Sequence, residues 1–208
     1  MGDRVIMGEF VVLRPAGIED RQLIYEWLVS SDVSRAMMGP PTFAERPFPT
    51  WEEFQEDYPG YFFDDSSPEL GRCFLILAGG KPVGQVSYND IWEREGWKRT
   101  ELDIWMRSEA CCGRGYGTDA LFALCRMLSI RFGVQEFMMQ PSARNPRAIR
   151  AYGRVGFRSL DIPLAAAIEQ WGPSDYFDSV YMVKRAPIAT ECQRDAGDAM
   201  VSPGGSDG

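Results

Sequence analysis

Three glycines at alternate positions, Gly113, Gly115 and Gly117, stand in the run CCGRGYGT directly ahead of an apolar-periodic segment. A strand feeding through such a run into a helix leaves backbone N–H groups without partners, and the missing side chains let a ligand approach the backbone closely. The helix macrodipole places about half a positive charge at that end, and Arg114 supplies a whole one. Phosphate groups are the natural guests of such a turn. A glycine-rich turn that merely joins a strand to a helix reads the same way locally. Two nucleotide motifs do not fit. No Lys-Ser or Lys-Thr follows the glycines as in a Walker A loop, and the last glycine is spaced differently from the dinucleotide fingerprint.

A second segment, SARNPRAIRAYGRVGF, places Asn145 at a helix N-cap and Pro146 at the first helical position. Ala148, Ile149 and Tyr152 then follow along one face, and the helix is expected to end near Gly156. No histidine occurs anywhere in the chain. That excludes a Ser-His-Asp triad, a Cys-His pair and a His-ligated metal site. Proton transfer falls to Asp, Glu, Tyr, Cys, Lys or water. Five cysteines, with Cys111 and Cys112 adjacent, suit neither a disulfide framework nor a zinc knuckle and read as reduced thiols. No metal is expected.

The elements that must position these residues read as alternating strands and helices. Val11, Val12 and Leu13 make Glu9 to Pro15 a strand stopped by proline. Leu23, Ile24, Trp27 and Leu28 recur at helical spacing within Ile18 to Val29. MMGPPTFAERPFPT carries four prolines and reads as a loop. Thr50 and Glu53 form a capping-box pattern opening a short helix that runs to Asp57. Cys73 to Ala78, the turn GGKP and Val83 to Ile91 read as a hairpin, and Thr100 to Met106 as a central strand. Behind the glycines, Leu121, Leu124, Met127 and Leu128 form an apolar stripe for packing a helix on a sheet.

The 208 residues, 45% hydrophobic and 25% charged, fit one globular domain over 1–186. Pro187 to Gly208, with almost no large apolar side chain, is expected to be a disordered C-terminal tail. A net charge of -8 and a pI near 4.7 argue against nucleic-acid or anionic-membrane partners and favour a cationic one. No window reaches the roughly 18 apolar residues of a membrane span, so a cytoplasmic protein is expected, as a monomer or homodimer.

Taken in this order, the two segments resemble the GNAT superfamily of acetyl-CoA-dependent N-acetyltransferases. The family's loop pattern is Gln or Arg, two residues, Gly, one residue, then Gly or Ala. Here it reads Cys112-Gly113-Arg114-Gly115-Tyr116-Gly117, with Cys112 in place of the Gln or Arg. NPRAIRAYGRVGF is similar to the family's Asn-x-x-Ala-x-x-x-Tyr helix with its terminal Gly-Phe. The resemblance implies an α/β (α+β) GNAT fold, a mixed central β-sheet with a splay between two parallel strands, flanked by helices. It places acetyl-CoA in the splay, with its pyrophosphate on Gly113, Arg114, Gly115, Tyr116, Gly117 and Thr118 and its pantetheine beside Trp105, Met106 and Arg107. Asn145 would contact the pantetheine arm, and Tyr152 would protonate the departing thiolate, a role a phenol suits. Outside the family, Tyr152 reads as an ordinary helix-face aromatic.

YEWL (Tyr25 to Leu28), LD ten residues before the loop, PSARNPRAIRAYGRVGF and VYMV (Val180 to Val183) are similar to the aminoglycoside 6'-N-acetyltransferases. In that group the aspartate at the position of Asp103 contacts the attacking amine and is proposed as its base. Glu101 and Asp103 share one face of a strand and could present two carboxylates to a cationic small-molecule amine. The alternative is an exposed strand face or a salt bridge. An alkyl amine with a pKa of about 10 is mostly protonated at neutral pH, and each unit withholds about 1.4 kcal/mol of reactive free base. A carboxylate with a reference pKa of about 3.9 is a weak acceptor unless desolvation raises it, which leaves Asp103 either as the base or as an anchor that holds the ammonium and passes its proton through water. The amine can attack the thioester directly, and an acyl-enzyme on Cys111 or Cys112 is not needed. NDIWEREGWKRTE is expected to flank the acceptor pocket, although surface solvation would also explain its charges. Protein N-termini or polyamines are alternative acceptors, and a non-catalytic acyl-CoA sensor would bind without turnover.

Overall fold

Alternation along one strand sets the layers of this protein. In β6 (Trp97–Met106), Leu102, Ile104 and Met106 face one apolar core and Trp105 faces another, as the two-residue period of a strand requires. The computed structural model describes residues 5–33, 48–174 and 178–186. Most of the proline-rich loop and the expected C-terminal tail lie outside the described residues.

A short strand β1 (Ile6–Met7) and β2 (Val12–Pro15) lead into a single-turn 3-10 helix at Ile18–Asp20 and helix α1 (Arg21–Ser30). Helix α2 (Trp51–Asp57) opens on the expected capping box. Its Thr50 hydroxyl accepts from the Glu53 N–H at 3.3 Å, and the Thr50 N–H donates to Glu53 Oε2 at 2.8 Å. The hairpin pairs β3 (Gly71–Ala78) with β4 (Lys81–Asn89). It turns through Gly79 and Gly80, whose φ values of 56° and 75° are those of the tight turn that fits strand twist. A second hairpin joins β5 (Trp92–Arg94) to β6 through Glu95 and Gly96, both left-handed. The glycine loop then leads to α3 (Tyr116–Phe132), followed by β7 (Glu136–Met139), α4 (Pro146–Val155), β8 (Arg158–Ser159), α5 (Leu164–Trp171) and β9 (Met182–Arg185).

The strands form a mixed sheet in the order β1-β2-β3-β4-β6-β7-β9-β8, with β5 on the outer half of β6. The β6–β7 pair is parallel and the other strand pairs are antiparallel. Leu121, Leu124 and Leu128 of α3 pack with Ile104, Phe137 and Phe157 on one face. On the other face Ile24, Trp27, Phe54 and Tyr58 cover Cys73, Leu75 and Trp105. At the first rung of the parallel pair, Glu136 is 1% exposed between Arg99 at 2.6 Å and Arg185 at 2.7 Å, so its buried charge is compensated. Among the described residues, no helix is long and apolar enough to cross a membrane, and no cluster of metal-ligating side chains is found.

The first turn of α3 is tied to the start of the chain. The Asp119 carboxylate accepts from the N–H groups of Glu9, Phe10 and Val11 at 2.9, 2.7 and 2.9 Å. Those three N–H groups are therefore unavailable to a ladder. This is why β2 begins at Val12 and not at Glu9.

Candidate active site

The β6–β7 ladder pairs Arg99 with Glu136, Thr100 with Phe137 and Glu101 with Met138, and stops there. From Leu102 to Met106, β6 continues only against β4. Its β7-facing edge has no strand partner among the described residues. Two cavities of about 370 and 350 Å³ occupy the opening, and Ile104, Asn145, Ala148 and Tyr152 line both.

The glycine loop and the start of α4 wall the second cavity. Gly113 and Gly115 have φ values of 72° and 85°, a conformation that side-chain-bearing residues rarely adopt. Gly115 is the N-cap of α3, and a Cβ there would meet no atom within 4 Å. The open side of the turn thus carries helix-terminal N–H groups, flanked by Tyr116, Gly117 and Thr118. Trp105 and Met106 border the same cavity with their side chains buried in opposite cores. Two expected members are placed elsewhere. Arg114 turns back, its Nε donating to the Ala110 carbonyl at 2.9 Å, and it does not line the cavity. Arg107 lies one residue beyond β6, exposed, with its N–H on the Val83 carbonyl at 2.8 Å, and lines neither cavity.

Arg144, Arg147 and Arg154 line the second cavity, with Glu109 as the one carboxylate among its lining residues. Cys111 and Cys112 also line it and are absent from the first. Burial pushes the Cys112 thiol up to about 11, which leaves it protonated and poorly nucleophilic at neutral pH.

The first cavity has the opposite charge. Asp57, Glu101 and Asp103 line it, with no Lys or Arg among its lining residues. Asp103 is exposed on β6, and its carboxylate is oriented at both oxygens. The Tyr58 hydroxyl donates to Oδ2 at 2.8 Å and the Ile104 N–H to Oδ1 at 2.7 Å. Burial, and then the Asp103 charge beside it, push the Tyr58 pKa well above the usual phenol value, so this phenol remains a donor across the physiological range. Tyr58 carries no local sequence signal, since it meets Asp103 only through the packing of α2 on the sheet. Glu101, half-buried, also borders a third hollow with Asp90, Trp92, Glu93 and Glu169. The NDIWER segment therefore flanks Glu101.

Asn145 caps α4, its Oδ1 accepting from the Ala148 N–H at 3.1 Å. Two turns on, Tyr152 packs its ring 6.3 Å from Phe157 and stands where the cavities meet. A glycine turn faced by arginines on one side of Tyr152 and a carboxylate wall on the other fit a phosphate-bearing acyl donor and an amine acceptor. Acetyl-CoA supplies an activated thioester to such a site; Gly113, Gly115, Tyr116, Gly117 and Thr118 could hold its phosphates.

Known proteins point the same way. An aminoglycoside N(6')-acetyltransferase type 1 of Klebsiella pneumoniae is 30% identical over 156 residues, 71% of this chain and 73% of that protein. A structure of AAC(6')-Ib with paromomycin and acetyl-CoA superposes with a TM-score of 0.64 at 24% identity, covering 92% of this chain and all of that one. Spermidine N-acetyltransferase from Vibrio cholerae, solved with CoA and spermine, gives a TM-score of 0.59 at 15% identity over 85% of this chain and 95% of its own. The acetyltransferase (GNAT) domain model matches residues 11–158, a span holding both parting strands, the glycine turn and α4, and the chain belongs to this family of acetyl-CoA-dependent N-acetyltransferases.

Proposed function

We propose that the enzyme acetylates a primary amine of a cationic small molecule of the aminoglycoside type. The observation that carries this reading is the charge division of the cleft, with three carboxylates lining the first cavity and three arginines the second. A cationic acceptor is drawn to the first and a polyanionic donor to the second. The 30% identity to an aminoglycoside N(6')-acetyltransferase supports the same acceptor class.

Asp103 is the group that holds the acceptor's ammonium before it loses its proton. Its carboxylate, oriented by Tyr58 and the Ile104 N–H, accepts from the ammonium, the proton leaves through water, and the neutral amine then attacks the thioester. Glu101, on the same face of β6, adds a second anionic contact. Tyr152, at the junction of the cavities, donates its hydroxyl proton to the departing thiolate. Asn145, which lines both cavities, contacts the pantetheine arm of the donor. No covalent enzyme intermediate is involved, since both loop cysteines lie outside the carboxylate cavity.

The test is a panel of aminoglycosides, polyamines, lysine and N-terminal peptides assayed for release of CoA thiol. Turnover at the 6'-amine of an aminoglycoside is the expected result. Turnover confined to peptide N-termini or polyamines overturns the acceptor assignment, and donor binding without turnover of any amine overturns the catalytic one.

A further inference from the structure

The cation facing the glycine turn comes from another element. Arg114, within the turn, is spent on the Ala110 carbonyl. Arg147, in the first turn of α4, reaches across the cleft instead. Its Nη2 lies 3.7 Å from where a Cβ on Gly113 would sit, and its Nη1 pairs with the Glu109 carboxylate. Both partners line the second cavity and are about half exposed. Glu109 is itself fixed from behind, its N–H donating to Asp32 Oδ1 at 2.7 Å. The other arginine near the start of α4, Arg144, is held by Asp178 at 2.9 Å. Cys112, neutral at the head of the loop, offers no charge.

We propose that Arg147 is a ligand of the donor's diphosphate group and that Glu109 is the counter-ion that the donor displaces from it on binding. This rests on acetyl-CoA being the donor. A guanidinium beside Gly113 is placed to reach the same phosphate oxygens as the turn's N–H groups, and its planar fork matches them better than it matches a single exposed carboxylate. Exposed ion pairs contribute little to stability, so exchanging Glu109 for a diphosphate is cheap. Glu109 then competes with the donor for one cation.

Two substitutions separate this from a strap that merely holds the two sides of the cleft together. Calorimetric titration of the full chain with CoA and with 3'-dephospho-CoA, which keeps the diphosphate, gives the readout. Arg147→Gln should weaken both ligands roughly tenfold, the scale of one charge-assisted contact. Arg147→Lys should recover part of the loss. Glu109→Gln should tighten both by about two- to threefold, because a weak exposed competitor has been removed. A gain cannot arise from misfolding. Weakening by both Gln variants would make the pair a structural strap and overturn the proposal, as would an unchanged affinity in Arg147→Gln. A loss with CoA but not with 3'-dephospho-CoA would overturn the assignment to the diphosphate. Failure of the unsubstituted chain to bind CoA would overturn the donor reading itself, an outcome distinct from all of these.

Discussion

Asp103→Asn isolates charge from shape. The amide oxygen retains the Ile104 N–H, and the amide nitrogen can face the Tyr58 hydroxyl, which accepts as readily as it donates. The fold and donor binding should therefore persist. Two unit charges about 4 Å apart interact by about 4 kcal/mol at an effective dielectric of about 20, and by about 1 kcal/mol in bulk water. Asp103 is exposed, which places the loss toward the lower part of that range. About 1.4 to 2 kcal/mol corresponds to a fall in kcat/KM of roughly 10- to 30-fold. Raising the pH from about 7 to about 9 increases the free-base fraction of an amine of pKa about 10 by nearly 100-fold. The variant should regain part of its rate over that interval, and the ratio of parent to variant should shrink. The assay is CoA-thiol release at both pH values, with calorimetric CoA binding as a control for folding. A variant with the parent's rate and pH profile would refute the reasoning and leave Asp103 a strand-surface carboxylate.

Tyr152→Phe should leave CoA affinity unchanged and lower turnover by roughly 10- to 100-fold, at or below the usual range for general acid catalysis because water substitutes in part; equal kcat in single-turnover experiments would remove the hydroxyl from the reaction. Gly115→Val, at a φ of 85°, should destabilise the chain by about 1 to 3 kcal/mol and abolish the rise in Tm caused by saturating acetyl-CoA. Burial pushes the Cys125 thiol up to about 12, so the native state keeps a proton that the unfolded chain releases above its ordinary thiol pKa of about 8.5. Stability from this group is complete below that value and declines as pH rises toward 12; urea midpoints should fall over this interval, and less steeply in Cys125→Ala.

Local chemistry made the capping box at Thr50, the Gly79-Gly80 hairpin, the glycine turn and the Asn145-Pro146 helix start legible in the sequence, because each is decided within a few residues. Part of what escaped was decided by distant partners, and part by local geometry that residue type does not announce. The N–H groups of Glu9, Phe10 and Val11 are captured by Asp119, over a hundred residues away, which shortens β2. The β5–β6 hairpin was hidden because Glu95, not a glycine, occupies a left-handed turn position. Arg114 was expected to face the ligand from its place in the loop, yet a backbone carbonyl four residues back holds it. Tyr58 and Arg147 reach the site from separate helices. The spacing of Arg147 two residues after the N-cap was the available signal, since it places a cation in the first turn of α4.

The sharing of β6 between two ladders has a mechanical side. Its first half is hydrogen-bonded to β5 and β7 and its second half to β4, so among the described residues β6 is the strand whose ladders belong to both half-sheets. Changing the angle between them bends one strand near Glu101 and breaks no ladder bond. The stiffness of the wedge is therefore set by the apolar contacts of α3 and α4 that span it, including Ile104, Leu121, Ile149 and Tyr152. Apolar packing resists through short-range dispersion and burial, not through directional bonds. A load on the gap therefore falls first on this packing and only then on the two ladders.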